Sequence, residues 1–208
     1  MNTKKSFFII ILVLLIDQIS KVYIKTNFRL GEEVYVFDWF RIHFIENNGA
    51  AWGTELGGKT GKLILTLFRL CAIVGIGYWL HKSIKEKAHN LLIIAVSLIF
   101  TGALGNIIDS VFYGILFTDS YGQLAIYDPA NAYGELFHGK VVDMLYFPIW
   151  EGTLPNWLPI MGGQNFTFFN AIFNIADSAI SIGVMLLLFF SKTIFPKKYL
   201  RFLFHYIK

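Results

Sequence analysis

Four long apolar stretches alternate with polar segments along the chain, at about 6–26, 63–80, 91–112 and 168–191. Each approaches the roughly 20 residues that a helix needs to cross the hydrocarbon of a bilayer. The pattern predicts a membrane all-α fold: a bundle of four transmembrane helices, forming a single integral membrane domain over 1–208. Two long loops, 27–62 and 113–167, connect the first span to the second and the third to the fourth. Within the first loop, residues 34–37 (VYVF) and 40–45 (FRIHFI) read as short strands, the second alternating apolar and polar. Aromatic residues such as Tyr35, Phe37, Trp39, Tyr146, Trp150 and Trp157 crowd both loops. Such rings favour the membrane interface. A small extracytoplasmic β-sheet on the outer leaflet is therefore expected.

Composition strengthens the membrane reading. Of 208 residues, 55% are hydrophobic, 17% aromatic and 15% charged, where soluble domains carry about 25% charged residues. Mean hydropathy is +0.56. A disordered chain, a coiled coil and a nucleic-acid tail are excluded. The lone Cys71 has no partner for a disulfide and reads as a small buried hydrophobe. His43, His81, His89, His138 and His205 show no ligand spacing, so no metal site is predicted. Lys4 and Lys5 before SFFIIILVLLI imitate a secretory signal peptide. However, DQISK follows with no small-residue cleavage site, and the segment reads as a retained span.

Charge orients the bundle. The N-terminal segment, the loop between the second and third spans and the C-terminal tail together hold ten basic residues and one acid, Glu86. The loops 27–62 and 113–167 hold five basic residues and ten acids. The positive-inside rule places both termini in the cytoplasm and the long loops outside. The net charge of +4 is thus a topology signal, and no nucleic-acid partner is expected.

Three spans carry a charge inside: Asp17, Arg69 and Asp177; the third meets Asp109 at its far end. A charge at the centre of a span costs roughly 2.5–3.5 kcal/mol on insertion scales, so such groups face the bundle interior. On a helix, Asn170, Asn174, Asp177 and Ser181 would share one face, as would Gly102, Gly105, Asn106 and Asp109. Asp17 and Lys21 stand i, i+4 in the favourable acid-then-base order. Asp143 lies between apolar flanks, VV before it and MLYF after it. A strand-end or helix-cap acid and a partly buried functional carboxylate are both open readings of it. Two carboxyls in a low-dielectric site share a proton, and such a dyad activates water and protonates a leaving amine. Spacing alone does not bring Asp143 and Asp177 together.

Five segments in order resemble those of bacterial lipoprotein signal peptidases, the signal peptidase II family of intramembrane aspartic proteases. Asp17-Gln18 with Lys21 resembles the family's first-span DQ…K element, and Asn47-Asn48-Gly49-Ala50-Ala51-Trp52 its NxGAAF element. The run from Gly102 to Asp109 resembles GxxGNxxD, Val141-Val142-Asp143 resembles VVDF, and Phe173-Asn174-Ile175-Ala176-Asp177 resembles FNxAD. The resemblance implies Asp143 and Asp177 as the catalytic dyad. It implies that Asn47, Gly49, Asn106, Asp109 and Asn174 bind substrate or shape the pocket, with Asp17 and Lys21 organising the site. It further implies a bacterial cytoplasmic (inner) membrane enzyme, active near the extracytoplasmic face without metal or organic cofactor. The implied substrates are diacylglyceryl-modified prolipoproteins, cut before the lipidated cysteine in contact with membrane lipid; a monomer is the default.

The chain departs from the family pattern in three ways. Ser110 stands where the family usually has Arg after the third-span Asp, so a basic partner for Asp109 comes from elsewhere, such as Arg69 or Lys140, or is absent. Trp52 replaces Phe, and segments 113–138 and 151–166 are longer than usual, as decoration or as a lid. Two other readings compete. A small proton-coupled membrane transporter would use the acids as a relay, and a scaffold would use the polar stripes as helix glue.

Overall fold

A computed structural model describes residues 1, 3–48 and 58–195. Gly49 and the rest of the GAAW stretch lie outside the described residues, as do the basic residues beyond 195. Among the described residues, three helices are long and apolar enough to cross a membrane. They are α1 (Thr3–Asn27), α2 (Gly58–Lys85) and α3 (Asn90–Ile108); the last runs on through a π-helical turn, Asp109–Tyr113, into the short α4 (Gly114–Leu116). The fourth apolar helix, α5 (Ile175–Phe189), has 15 residues and is followed by α6 (Ser191–Ile194).

Burial is inverted relative to a soluble protein. Phe8, Phe68, Val74, Leu188 and Phe189 are exposed, whereas Asp17, Lys21 and Asp109 are 1%, 0% and 0% exposed. That is the arrangement hydrocarbon demands, since lipid solvates apolar side chains and cannot satisfy polar ones. Cys71 follows the same logic: it is exposed on α2, which corrects the expectation of a buried hydrophobe.

The central helix is α3, which packs on α1, α2 and α5. A Cβ on Gly102 would stand 2.2 Å from the Ala176 carbonyl oxygen, and one on Gly105 would stand 2.5 Å from Asp17 Oδ2. Only glycine lets α3 come this close to α5 and to the acid of α1.

The predicted strands form as β1 (Glu33–Phe37) and β2 (Phe40–Asn47). They join β3 (Val141–Tyr146) and β6 (Ile172–Phe173) in an antiparallel sheet of order β1-β2-β3-β6. A separate hairpin joins β4 (Trp150–Thr153) to β5 (Asn165–Phe168). Ile24, Phe44, Tyr113, Phe117, Val142 and Met144 form one buried apolar cluster, which fixes the sheet against α1 and the π-helical turn.

The start of the fourth helix departs from the expectation of a span from 168. Residues 165–168 and 172–173 are strands, and the helix opens at Ile175 behind the cap residue Asn174. Asn174 Oδ1 accepts from the Asp177 amide at 2.9 Å, and the Asp177 carboxylate accepts from the Asn174 amide at 3.3 Å. This reciprocal box satisfies amides that a longer helix would bond internally. Asn170 is consequently off the helix and accepts instead from the Tyr146 hydroxyl. The four-residue polar stripe is therefore not a single helical face.

Candidate active site

Polar side chains from α1, α3, β2, β3 and α5 converge where the helices meet the sheet. They form two adjoining groups.

The first group is built on the i, i+4 pair of α1. Lys21 Nζ lies 3.0 Å from Asp17 Oδ2 and 2.8 Å from Asp109 Oδ2, with all three side chains buried. Lys21 is thus the cation that Asp109 needs, and it comes from α1. Neither proposed partner takes that role. Lys140 binds Glu46, and the charge of Arg69 acts on Asp177 and Asp143. Ser110 turns inward and donates to the Asn106 carbonyl at 2.9 Å. Gln18 completes the group by donating toward Asp17, Asp109 and the Gly105 carbonyl, and by accepting from the Tyr113 hydroxyl.

This group reaches outward at three points. Asp17 Oδ1 accepts from the Ala176 amide at 2.8 Å, in the first turn of α5. Asp109 Oδ2 accepts from the Val142 amide at 3.3 Å, next to Asp143. Lys21 donates to Asn106 Oδ1 at 2.9 Å.

The second group holds Asp143 and Asp177. Asp143 lies in the middle of β3, opposite Ile45, and is 2% exposed. A strand-end or capping position is therefore ruled out. Asn174 Nδ2 donates to Asp143 Oδ1 at 2.7 Å, and the backbone amide of the same residue donates to Asp177 Oδ2 at 3.3 Å. One residue thus ties both carboxyls together across 34 positions of sequence. Asn106 Nδ2 donates to Asp177 Oδ1 at 2.8 Å, and Asn47 Nδ2 donates to Asp143 Oδ2 at 3.3 Å. Burial and the neighbouring Asp177 charge push Asp143 up to about 7, against the downward pull of the hydrogen bonds from Asn47 and Asn174. A carboxyl so placed can both hold and release a proton near neutrality.

Of the residues singled out from sequence, Asp17, Lys21, Asn47, Asn106, Asp109, Asp143, Asn174 and Asp177 all meet here, while Gly49 lies outside the described residues. Gln18 and Tyr113 were not singled out as site residues. Gln18 stands beside Asp17 in the DQ pair, whereas nothing local marks Tyr113.

Buried acids at a helix–sheet junction, on helices built for lipid, mark the functional centre of a membrane protein. The fold is similar to a solved bacterial membrane enzyme (in meso method, 2.3 Å), with TM-score 0.58 and 30% identity over 92% of this chain and 90% of that one. The family described as Signal peptidase (SPase) II matches residues 9–193, and the chain belongs to that family. It is 48% identical to a lipoprotein signal peptidase of Porphyromonas gingivalis over 182 residues, 86% of this chain and 79% of that protein. It is 36% identical to that of Amoebophilus asiaticus over 187 residues (88% and 75%), and 32% to that of Staphylococcus aureus strain MRSA252 over 185 (88% and 85%). These relatives lend the transporter reading no support.

Proposed function

We propose that the chain is an intramembrane aspartic endopeptidase that removes signal peptides from diacylglyceryl-modified prolipoproteins, cutting just before the lipidated cysteine. The observation that carries this reading is the linkage of Asp143 and Asp177 through Asn174, with Asp143 pushed up to about 7. The ionised member of the pair takes a proton from water, which attacks the scissile carbonyl. The protonated member hydrogen-bonds the developing oxyanion and then delivers a proton to the leaving amine. Asn47, Gly49, Asn106 and Asn174 line the peptide's path or hold the dyad in shape. Asp17, Lys21 and Asp109 fix α1, α3 and α5 beneath it.

The enzyme works as a single-domain monomer in the bacterial inner membrane. Both termini are cytoplasmic, and the active site lies near the extracytoplasmic face in contact with membrane lipid. The fourth span of the bundle is α5 continued by α6. With Phe190 between them, the stretch from Ile175 to Ile194 reaches about 30 Å at 1.5 Å per residue. The sheet rests on the outer leaflet through Tyr35, Phe37 and Trp39, which are 65%, 57% and 54% exposed.

The test is cleavage of a diacylglyceryl prolipoprotein by purified enzyme in lipid. Asp143→Asn and Asp177→Asn should each leave substrate uncut while the protein still inserts and folds. Parent-like cleavage by either variant overturns the dyad. Equal cutting of an unlipidated precursor overturns the substrate class.

A further inference from the structure

A second buried ionic group lies one residue away from the site. Glu46 Oε1 lies 2.5 Å from Lys25 Nζ, and Glu46 Oε2 lies 3.0 Å from Lys140 Nζ. Ser120 Oγ donates to Glu46 Oε1 at 2.7 Å and accepts from Lys25 Nζ at 3.0 Å. The Glu46 side chain is 3% exposed, that of Lys25 1%, and Ser120 is fully buried. Both ammonium groups face the Tyr133 ring, at 4.9 Å and 5.2 Å from its centroid, and the Lys140 amide donates to the Tyr133 hydroxyl.

These partners come from four places: the end of α1, β2, the segment 117–139 and the entrance to β3. The segment is itself stitched to the π-helical turn through Phe137 to Val111 and Gly139 to Ser110 backbone bonds. A lid poised to open would not be anchored this way. Glu46 pairs in register with Val142, the residue before Asp143. The next residue in β2, Asn47, donates to Asp143, and Lys140 stands three positions before Asp143.

We propose that Glu46 is a positioning residue for Asp143. Held by Lys25, Ser120 and Lys140, it stops β3 from sliding along β2, so that Asn47 and Asp143 keep their contact. The long segment between α3 and β3 closes this knot. The proposal rests on the dyad reading above.

Burial of Glu46 opposes its ionisation, but Lys25, Ser120 and Lys140 outweigh it and hold the carboxyl below its ordinary value. It is therefore a carboxylate throughout the working range. Lys25, Lys140, Asp119 and Tyr133 surround this group, while Asp177, Lys21 and Arg69 act on Asp143. Glu46→Gln removes one negative charge and makes the group near Asp143 more positive. The extra positive potential and the looser strand, which admits water, both lower the Asp143 pKa.

The experiment measures kcat, KM and the pH profile on lipidated prolipoprotein, per folded molecule, for Glu46→Gln, Glu46→Asp and Lys140→Gln. Glu46→Gln should lower kcat by roughly tenfold or more, with KM within about twofold. Its alkaline limb should move to lower pH, and Glu46→Asp should restore the limb. Lys140 is 29% exposed, so Lys140→Gln folds even if Glu46→Gln does not, and it should lose kcat several-fold. Parent kcat per folded molecule in Lys140→Gln, or in Glu46→Gln with an unmoved alkaline limb, overturns the proposal. The dyad reading then stands or falls separately, on Asp143→Asn.

Discussion

Two groups of acids sit side by side, and they are held in opposite ways. Asp17 and Asp109 share an ammonium, Lys21, at 3.0 Å and 2.8 Å. Asp143 and Asp177 are held at hydrogen-bond distance by the amides of Asn47, Asn106 and Asn174, while the charge of Arg69 acts on both and that of Lys21 on Asp143. A carboxylate locked to a buried cation gains structure, since losing either partner strands a charge in low dielectric. Asp143, held by neutral amides, keeps a proton available near neutrality. The first group is suited to hold helices together and the second to react.

The largest expected effect separates chemistry from folding. Asp143→Asn and Asp177→Asn should each lower kcat by at least about a thousandfold, within the range of general acid–base catalysis, while detergent-solubilised protein stays folded. Lys21→Met should do the reverse. It strands two carboxylates and should destabilise the fold by about 3–5 kcal/mol, read as lost folded protein or a lowered Tm. Equal losses of stability in Lys21→Met and Asp143→Asn would erase the distinction between the groups.

Asn174→Ser keeps an oxygen to cap α5 but cannot bridge to Asp143. Stability should stay within about 1 kcal/mol, while kcat should fall on the order of a hundredfold. A parent-like kcat would show the bridge to be dispensable.

Asp143 also predicts a stability trend with pH. Its pKa in the fold, about 7, lies above its unfolded value of roughly 3.9. Its contribution is therefore fully favourable below pH 4 and is lost as pH rises through 7. Asp143→Asn should then be more stable than the parent at pH 8, by up to about 4 kcal/mol, with the gap closing toward pH 4. The smallest effect belongs to Tyr113→Phe, which removes one 3.3 Å bond to Gln18. About 0.5–1 kcal/mol of stability should go, with cleavage unchanged.

Much of this was legible in the chain because the signals are local. The first three spans, the strands on either side of Asp38-Trp39, and the Asp17/Lys21 spacing each need only neighbouring residues. The five motifs pointed to eight of the residues that meet at the site. Long-range pairing was not legible. The i, i+4 rule assigns Lys21 to Asp17, but only the approach of α3 gives it Asp109 as well. Lys25 continues the same stripe one turn later, yet its partner Glu46 depends on where β2 crosses. The stripe from Asn170 to Ser181 misled because asparagine suits a helix face and a helix cap alike, and the Asp177 box decided for the cap. The inserted segments look alike in composition but differ in place. One carries the buried Ser120, while the other forms a hairpin whose Trp157 and Ile160 are 79% and 96% exposed.

Asn174 ends the extended run after the hairpin, begins α5 and joins both carboxyls. The length of chain just before it is therefore constrained in a way that the hairpin's length is not. Adding one residue between Asn174 and Asp177 would turn the acid about 100° around the helix axis and carry it away from Asp143. Residues 151–166 should tolerate lengthening or trimming, but from Asn174 to Asp177 the spacing has to be counted out residue by residue.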